Sequence, residues 1–158
     1  MSNQIQRITT NLLDHLYKGY LKNPTALVDI GAILINHGES PNEFGKFLFE
    51  KGWIKSPTYF PNNCACQITL EGIDQIRPQY YNDHKDSIIF ALGQSGTSMS
   101  AMGILSFEKK DNQKMRDIVN RLRVEGYIND LEFTLDDANI DLSLKGREYY
   151  ENNKANFL

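Results

Sequence analysis

No apolar run in these 158 residues is long enough to cross a bilayer, the longest being Ile30 to Ile35. The opening residues, MSNQIQRITT, lack the basic start and apolar stretch of a secretion signal, so a cytoplasmic protein without a membrane partner is expected. Cysteine is scarce. Cys64 and Cys66 stand one residue apart, a spacing that closes no useful disulfide loop and fits a reducing compartment. Only His15, His37 and His84 are available to complete a zinc site with them, and none has finger-like spacing. An excess of positive charge is also missing. The formal net charge is -3, which excludes a surface that attracts nucleic acid everywhere and leaves only a local patch for that purpose.

Catalytic constellations are equally thin. Asp137, Asn139, Asp141, Ser143 and Glu148 match the ligand positions of a calcium loop, but Leu142 stands where the sharp turn needs glycine. Residues 93–98, GQSGTS, lack the lysine and spacing of a phosphate loop and read as an interhelical turn with a Ser or Thr cap. His37, Glu39 and Ser40 crowd together without a third partner. The expectation is a binding protein, not an enzyme, with no cofactor and no metal.

What the sequence does contain is internal similarity. Sliding the chain by 74 residues sets Gly52-Trp53-Ile54 on Gly126-Tyr127-Ile128, and Asn62-Asn63 on Asp136-Asp137. The same shift sets Ile68-Thr69-Leu70-Glu71-Gly72 on Leu142-Ser143-Leu144-Lys145-Gly146, with no gap. This period exceeds that of solenoid repeats and implies two small domains, 1–78 and 79–158, with the seam at Arg77-Pro78. The apolar content of 41% suffices for two small cores. Residues 1–78 carry seven Lys/Arg and seven Asp/Glu, and 79–158 carry ten and thirteen, so the acidity belongs to the second half.

In the first half, Ile5, Ile8, Leu12, Leu13, Leu16 and Tyr20 predict a helix over residues 4–21, stopped by Asn23-Pro24. A second helix is expected over residues 26–36. A third, opened by the capping box Ser40-Pro41-Asn42-Glu43, should run to Lys51 and end at Gly52. Two extended segments follow, residues 53–61 and 64–70, joined at Asn62-Asn63; Pro57 and Pro61 make the first irregular or an edge. Cys64, Cys66, Ile68 and Leu70 alternate onto one face, as do Ala138, Ile140, Leu142 and Leu144. In the second half, helices are expected over residues 86–93, 98–105 and 109–125, with 82–85 as a polar linker, either extended or itself helical. The fold class is mainly α with small β-hairpins, α+β.

The order of three helices, a two-stranded wing and a further helix resembles the winged helix-turn-helix superfamily, in two tandem copies. Its carriers are the paired segments 52–54 with 68–72 and 126–128 with 142–146. The resemblance implies that the third helix enters the DNA major groove while the wing meets backbone or minor groove. In residues 108–125 an inward stripe of Met115, Ile118, Val119 and Leu122 leaves Lys110, Lys114 and Arg121 on one flank and Arg116 and Arg123 on the other. With Lys109, and with Asn120 between the flanks, these offer cations for phosphates and amides for base edges.

The first half contributes less, through Asn42, Lys46 and Lys55. Phe49 is expected to be buried under the wing, the alternative being an outward protein contact. The expected partner is duplex DNA, in the manner of a transcriptional regulator. The alternative is a tandem module that binds protein only, motivated by the acidic second wing. A homodimer through the first helix, using Ile5, Leu12, Leu16 and Tyr20, is a further expectation.

Overall fold

A computed structural model describes residues 3–129 and 132–157. The chain divides into two compact units, Met1–Pro78 and Gln79–Leu158, each a mixture of α and β. Unit 1 opens with α1 (Asn3–Lys22), whose Ile8, Leu12, Leu13, Leu16 and Tyr20 are all buried. The expected pairing surface on this helix is therefore used by the unit's own core, and of the four residues proposed for a dimer only Ile5 is left exposed. Asn23 ends the helix, its side-chain oxygen accepting from the backbone N–H and hydroxyl of Thr25.

The segment read as a second helix over 26–36 is a strand and a shorter helix. Here β1 (Val28–Asp29) is extended and only α2 (Gly31–Ile35) is helical. The reason is tertiary: β3 (Asn63–Ile68) is hydrogen-bonded to β2 (Ile54–Phe60) on one side, and β1 covers its other edge in antiparallel register, Val28 opposite Cys66. Ile30 then donates to the Cys64 carbonyl at 3.0 Å. With strands on both sides, Ala65 is buried together with Cys64 and Cys66, so the strand does not alternate cleanly.

Helix α3 (Pro41–Glu50) starts as its sequence requires, with the Ser40 hydroxyl accepting from Glu43 N–H at 3.3 Å and Pro41 in the first turn. Its Phe44, Gly45 and Leu48 face inward. The hairpin beyond it is broken between Lys55 and Thr58 by a bulge, where Ser56 takes a left-handed φ of 53° next to Pro57. A short α4 (Leu70–Asp74), capped by Thr69, closes the unit over a core of Ile8, Leu12, Leu34, Leu48, Ile68 and Ile73.

Unit 2 begins with α5 (Gln79–Ser95), so the linker over 82–85 takes its helical alternative and the helix expected over 86–93 is longer at both ends. Tyr81, Ile88, Ile89 and Leu92 recur at helical spacing on its buried face. Lys85, between them, lies over the rings of Tyr127 and Tyr149 at 4.4 and 4.6 Å. Next come β4 (Met99–Ser100) and α6 (Ala101–Leu105), where one helix over 98–105 was expected. Again a hairpin edge decides: Met99 pairs with Ile140 of β5 (Asn139–Ile140). A single 3-10 turn, Lys109–Asp111, precedes α7 (Asn112–Val124), which shortens the expected reading helix at its start. Isolated bridges join Ile128 to Leu142 and Phe133 to Ala138, and α8 (Leu144–Asn153) follows.

Displaced by 74 residues, the closing geometry of one unit recurs in the other. Trp53 N–H donates to Leu48 C=O at 3.1 Å and Tyr127 N–H to Leu122 C=O at 3.0 Å. Thr69 N–H reaches Trp53 C=O at 3.0 Å, and Ser143 N–H reaches Tyr127 C=O at 3.1 Å. Gly52 and Gly126 take φ of 76° and 87°, the left-handed region that lets the chain turn off the third helix.

Candidate nucleic-acid interface

The inward stripe of α7 lies in the core, as its spacing demands: Met115, Ile118, Val119 and Leu122 are all buried. The opposite face should then carry the cations, and the structure sorts these into two groups. Lys114 leaves the surface. Its side chain is one-tenth exposed and its ammonium sits 2.9 Å from Asp111, itself covered, so the residue is an internal ion pair and not a phosphate contact. Burial alone would raise the Asp111 carboxyl; the hydrogen bond and charge of Lys114 outweigh it and hold the group below the usual carboxylate range.

Arg121 is also engaged. Its guanidinium lies 4.4 Å from the ring centre of Tyr81, and its Nε is 3.7 Å from Glu125. Glu125 in turn accepts a hydrogen bond from the Tyr81 hydroxyl, and burial together with that bond pushes the phenol far above its ordinary pKa. Neither Lys114 nor Arg121 therefore belongs to a reading face.

Arg116 spans helix and hairpin. Its Nε donates to Asn112 at 2.8 Å, and its Nη2 donates to the carbonyls of Thr134 and Leu135, the latter at 3.1 Å. The same guanidinium lies 5.3 Å from the Phe133 ring, against which Arg123 sits at 5.5 Å. Arg123 also donates to the Asn120 side chain at 3.1 Å. Two arginines on one face of the helix, about two turns apart, thus hold one aromatic ring of the hairpin, and Arg116 acts chiefly as a brace.

What remains outward is a smaller set. Lys109 and Lys110 are well exposed, their nearest carboxylates, Asp136 and Glu108, each 3.8 Å away. Asn120 is exposed and Arg123 half-buried at its side. This face is cationic along the 3-10 turn and α7 and acidic at the hairpin, where Glu132 and Asp136 are exposed.

The corresponding face of unit 1 is built differently. Asn42 donates to the Phe60 carbonyl at 3.0 Å, the position that Arg116 serves toward Thr134 in unit 2, so this amide is committed to the hairpin. Lys46 is exposed, with its ammonium 6.0 Å from the Tyr59 ring centre, and Lys55 is half-buried in β2. Phe49 is 52% exposed, not buried under the wing, and Tyr59 and Phe60 are 40% and 48% exposed. Tyr59 of the hairpin packs instead at Gly45, where an added Cβ would meet its ring at 3.0 Å. The contribution of Tyr59 and Phe133 was not foreseen from the sequence. The signal was present, since the 74-residue shift sets one aromatic on the other.

No helix among the described residues is long and apolar enough to cross a membrane. Comparison with known proteins finds no matching family model, no matching curated protein and no matching solved structure.

Proposed function

We propose that each unit is a winged helix-turn-helix domain and that the chain binds duplex DNA, reading it with the outer face of α7 and the 3-10 turn before it, beside the hairpin of unit 2. The observation that carries this reading is the pose of α7. Its apolar stripe is buried while Lys109, Lys110, Asn120 and Arg123 stand outward, next to a hairpin fixed to the helix through Arg116. The domain assignment is supported by the order within each unit: helix, short strand, two helices, hairpin, with the short strand annealed to the hairpin. The duplication is supported by the recurrence of the same backbone bonds at one offset.

Three cations make a small contact set. Each phosphate neutralised contributes about 0.9 to the log-log salt slope, so a slope of about -3 is expected on random duplex. The test is a fluorescence-anisotropy titration over a range of salt, with the chain and with the triple variant Lys109→Ala, Lys110→Ala, Arg123→Ala. Binding that weakens on substitution, with a slope close to zero, supports the reading; no binding at micromolar protein in low salt, or binding indifferent to the substitutions, overturns it.

A second reading, a tandem module that binds protein, is favoured by the exposed aromatics Phe49, Tyr59 and Phe60 in unit 1. Absence of a DNA complex is what this reading expects of the same titration.

A further inference from the structure

Unit 2 contains a cleft of about 370 Å³ between the end of α5, the segment after β5 that holds Asp141 and Leu142, and α8. That volume falls near the lower end of the roughly 300–1,000 Å³ typical of small-molecule sites. One wall is apolar, formed by Leu92, Leu142 and the ring of Tyr150, which lies so close to Gly93 that an added Cβ there would meet it at 2.3 Å. The polar wall carries charges of both signs, Arg147 on one side of the balance and Asp141 and Glu151 on the other, with Glu151 already paired to Lys154 at 2.9 Å. Arg147 lines the cleft and, among the described residues, its guanidinium makes no ion pair and no hydrogen bond. Asp141 lines the same cleft; its Oδ1 accepts from Asn129 at 2.8 Å and its Oδ2 has no partner among the described residues.

The register between the units makes this arrangement more than a surface dent. Shifted by 74 residues, Arg147 falls on Ile73, which is fully buried in the core of unit 1, and Asp141 falls on Gln67, whose amide donates to the Thr25 carbonyl. Unit 1 fills the place and satisfies it internally. Unit 2 leaves it open and sets an unpaired cation and a half-used carboxylate at its rim. A group that carries both an anion and an ammonium would satisfy the two at once, since a guanidinium pairs with a carboxylate in two parallel hydrogen bonds and a carboxylate takes an ammonium.

We propose that this cleft is a binding site for a small zwitterion of the α-amino-acid class, its carboxylate on Arg147, its ammonium on Asp141 and its side chain against Tyr150 and Leu142. The site belongs to unit 2 alone and does not depend on whether either unit meets DNA.

The test is thermal denaturation of the full chain with each of the proteinogenic L-α-amino acids alone, followed by calorimetric titration of any that stabilise. A ligand at about 100 times its Kd should raise the midpoint by roughly 10 °C. Des-amino and decarboxylated analogues of the best ligand should bind roughly 10- to 100-fold more weakly, as should the parent ligand with Arg147→Ile, Arg147→Gln or Asp141→Asn. Arg147 is exposed and holds nothing in the fold, so both of its variants should melt within a few degrees of the parent chain. Stabilisation by no amino acid, stabilisation that survives both Arg147 variants, or equal binding of the des-amino acid would each overturn the proposal.

Discussion

Asn63 and Asp137 perform the same task in the two units. The side-chain oxygen of Asn63 accepts the backbone N–H of Gly31 at 3.0 Å and that of Cys64 at 2.8 Å; Asp137 Oδ1 accepts those of Met102 at 3.0 Å and Ala138 at 2.7 Å. Each thereby ties the start of a short helix to the turn of a hairpin. Asp137 adds a bond from the Ser100 hydroxyl, and although burial pulls its carboxyl upward, these bonds together hold it below its ordinary value.

Replacing Asp137 by alanine leaves two backbone donors without an acceptor and should cost about 2 kcal/mol or more. Asp137→Asn installs the residue of unit 1 and should cost about 1 kcal/mol, because an amide oxygen still accepts both backbone bonds. The contribution of the carboxylate is fully present above its unfolded pKa near 3.8 and disappears as pH falls through the lower folded value. Urea denaturation at pH 7 and again below pH 4 measures both effects; equal destabilisation by alanine and asparagine would refute the shared role.

A different acid sensitivity comes from His84. Its ring sits edge-on between Tyr80 and Phe107, with centroids 4.8 and 5.5 Å away, and burial lowers its pKa, assisted by Lys114 and opposed by Asp83. A histidine whose folded pKa lies below its unfolded 6.5 binds fewer protons folded than unfolded between the two values. Stability of unit 2 should therefore decline as pH falls below about 6.5, ahead of the carboxylate-linked loss. In His84→Phe that first decline should vanish, and a melting profile over pH 5–8 unchanged by the substitution would exclude this origin.

Gly72 and Gly146 should tolerate no side chain. A Cβ at either would stand 2.3 or 2.1 Å from the carbonyl oxygen of Trp53 or Tyr127, a backbone atom that cannot move aside. Alanine at either position should cost about 3 kcal/mol or more. Gly38, with φ of 67° and open space around it, should lose only about 1 kcal/mol on the same change. Chemical denaturation of the three variants gives the ranking, and near-equal losses would contradict it.

Lys114→Ala separates stability from binding. It strands the Asp111 carboxylate and should lower stability by roughly 1.5–3 kcal/mol, while leaving the salt slope of any DNA complex unchanged. Lys109→Ala should do the opposite, since its ammonium is largely exposed and its nearest carboxylate is 3.8 Å away. Paired melting and titration data on both variants check the contrast.

The two cysteines should be silent. Both are fully buried and free, and burial raises both thiols, Cys66 to about 12 with the neighbouring Cys64 adding to it. Thiol titration of the native chain at pH 8 should find neither, and denaturant should release both; rapid native labelling would show the strand face to be open.

Much of this architecture is legible along the chain because its causes are local. Ser40 and Pro41 start α3 through bonds three residues away, Gly52 and Gly126 end third helices by their own backbone freedom, and the stripe from Met115 to Leu122 declares its buried side by period alone. The strands at Val28–Asp29 and Met99–Ser100 escape such reading. Two residues have no periodicity, and their conformation is imposed by the open edges of β3 and β5.

The residues by themselves determined where α1 and α3 begin and end, which face of α7 turns inward and that one sequence pattern occurs twice at a fixed separation. Only the tertiary structure decided which cations remain for a partner. Arg116 meets Thr134 and Arg121 meets Tyr81 across 18 and 40 positions of chain. Helical spacing relates neighbours three or four residues apart, whereas electrostatic pairing depends on distance through space, which exists only once the fold has closed.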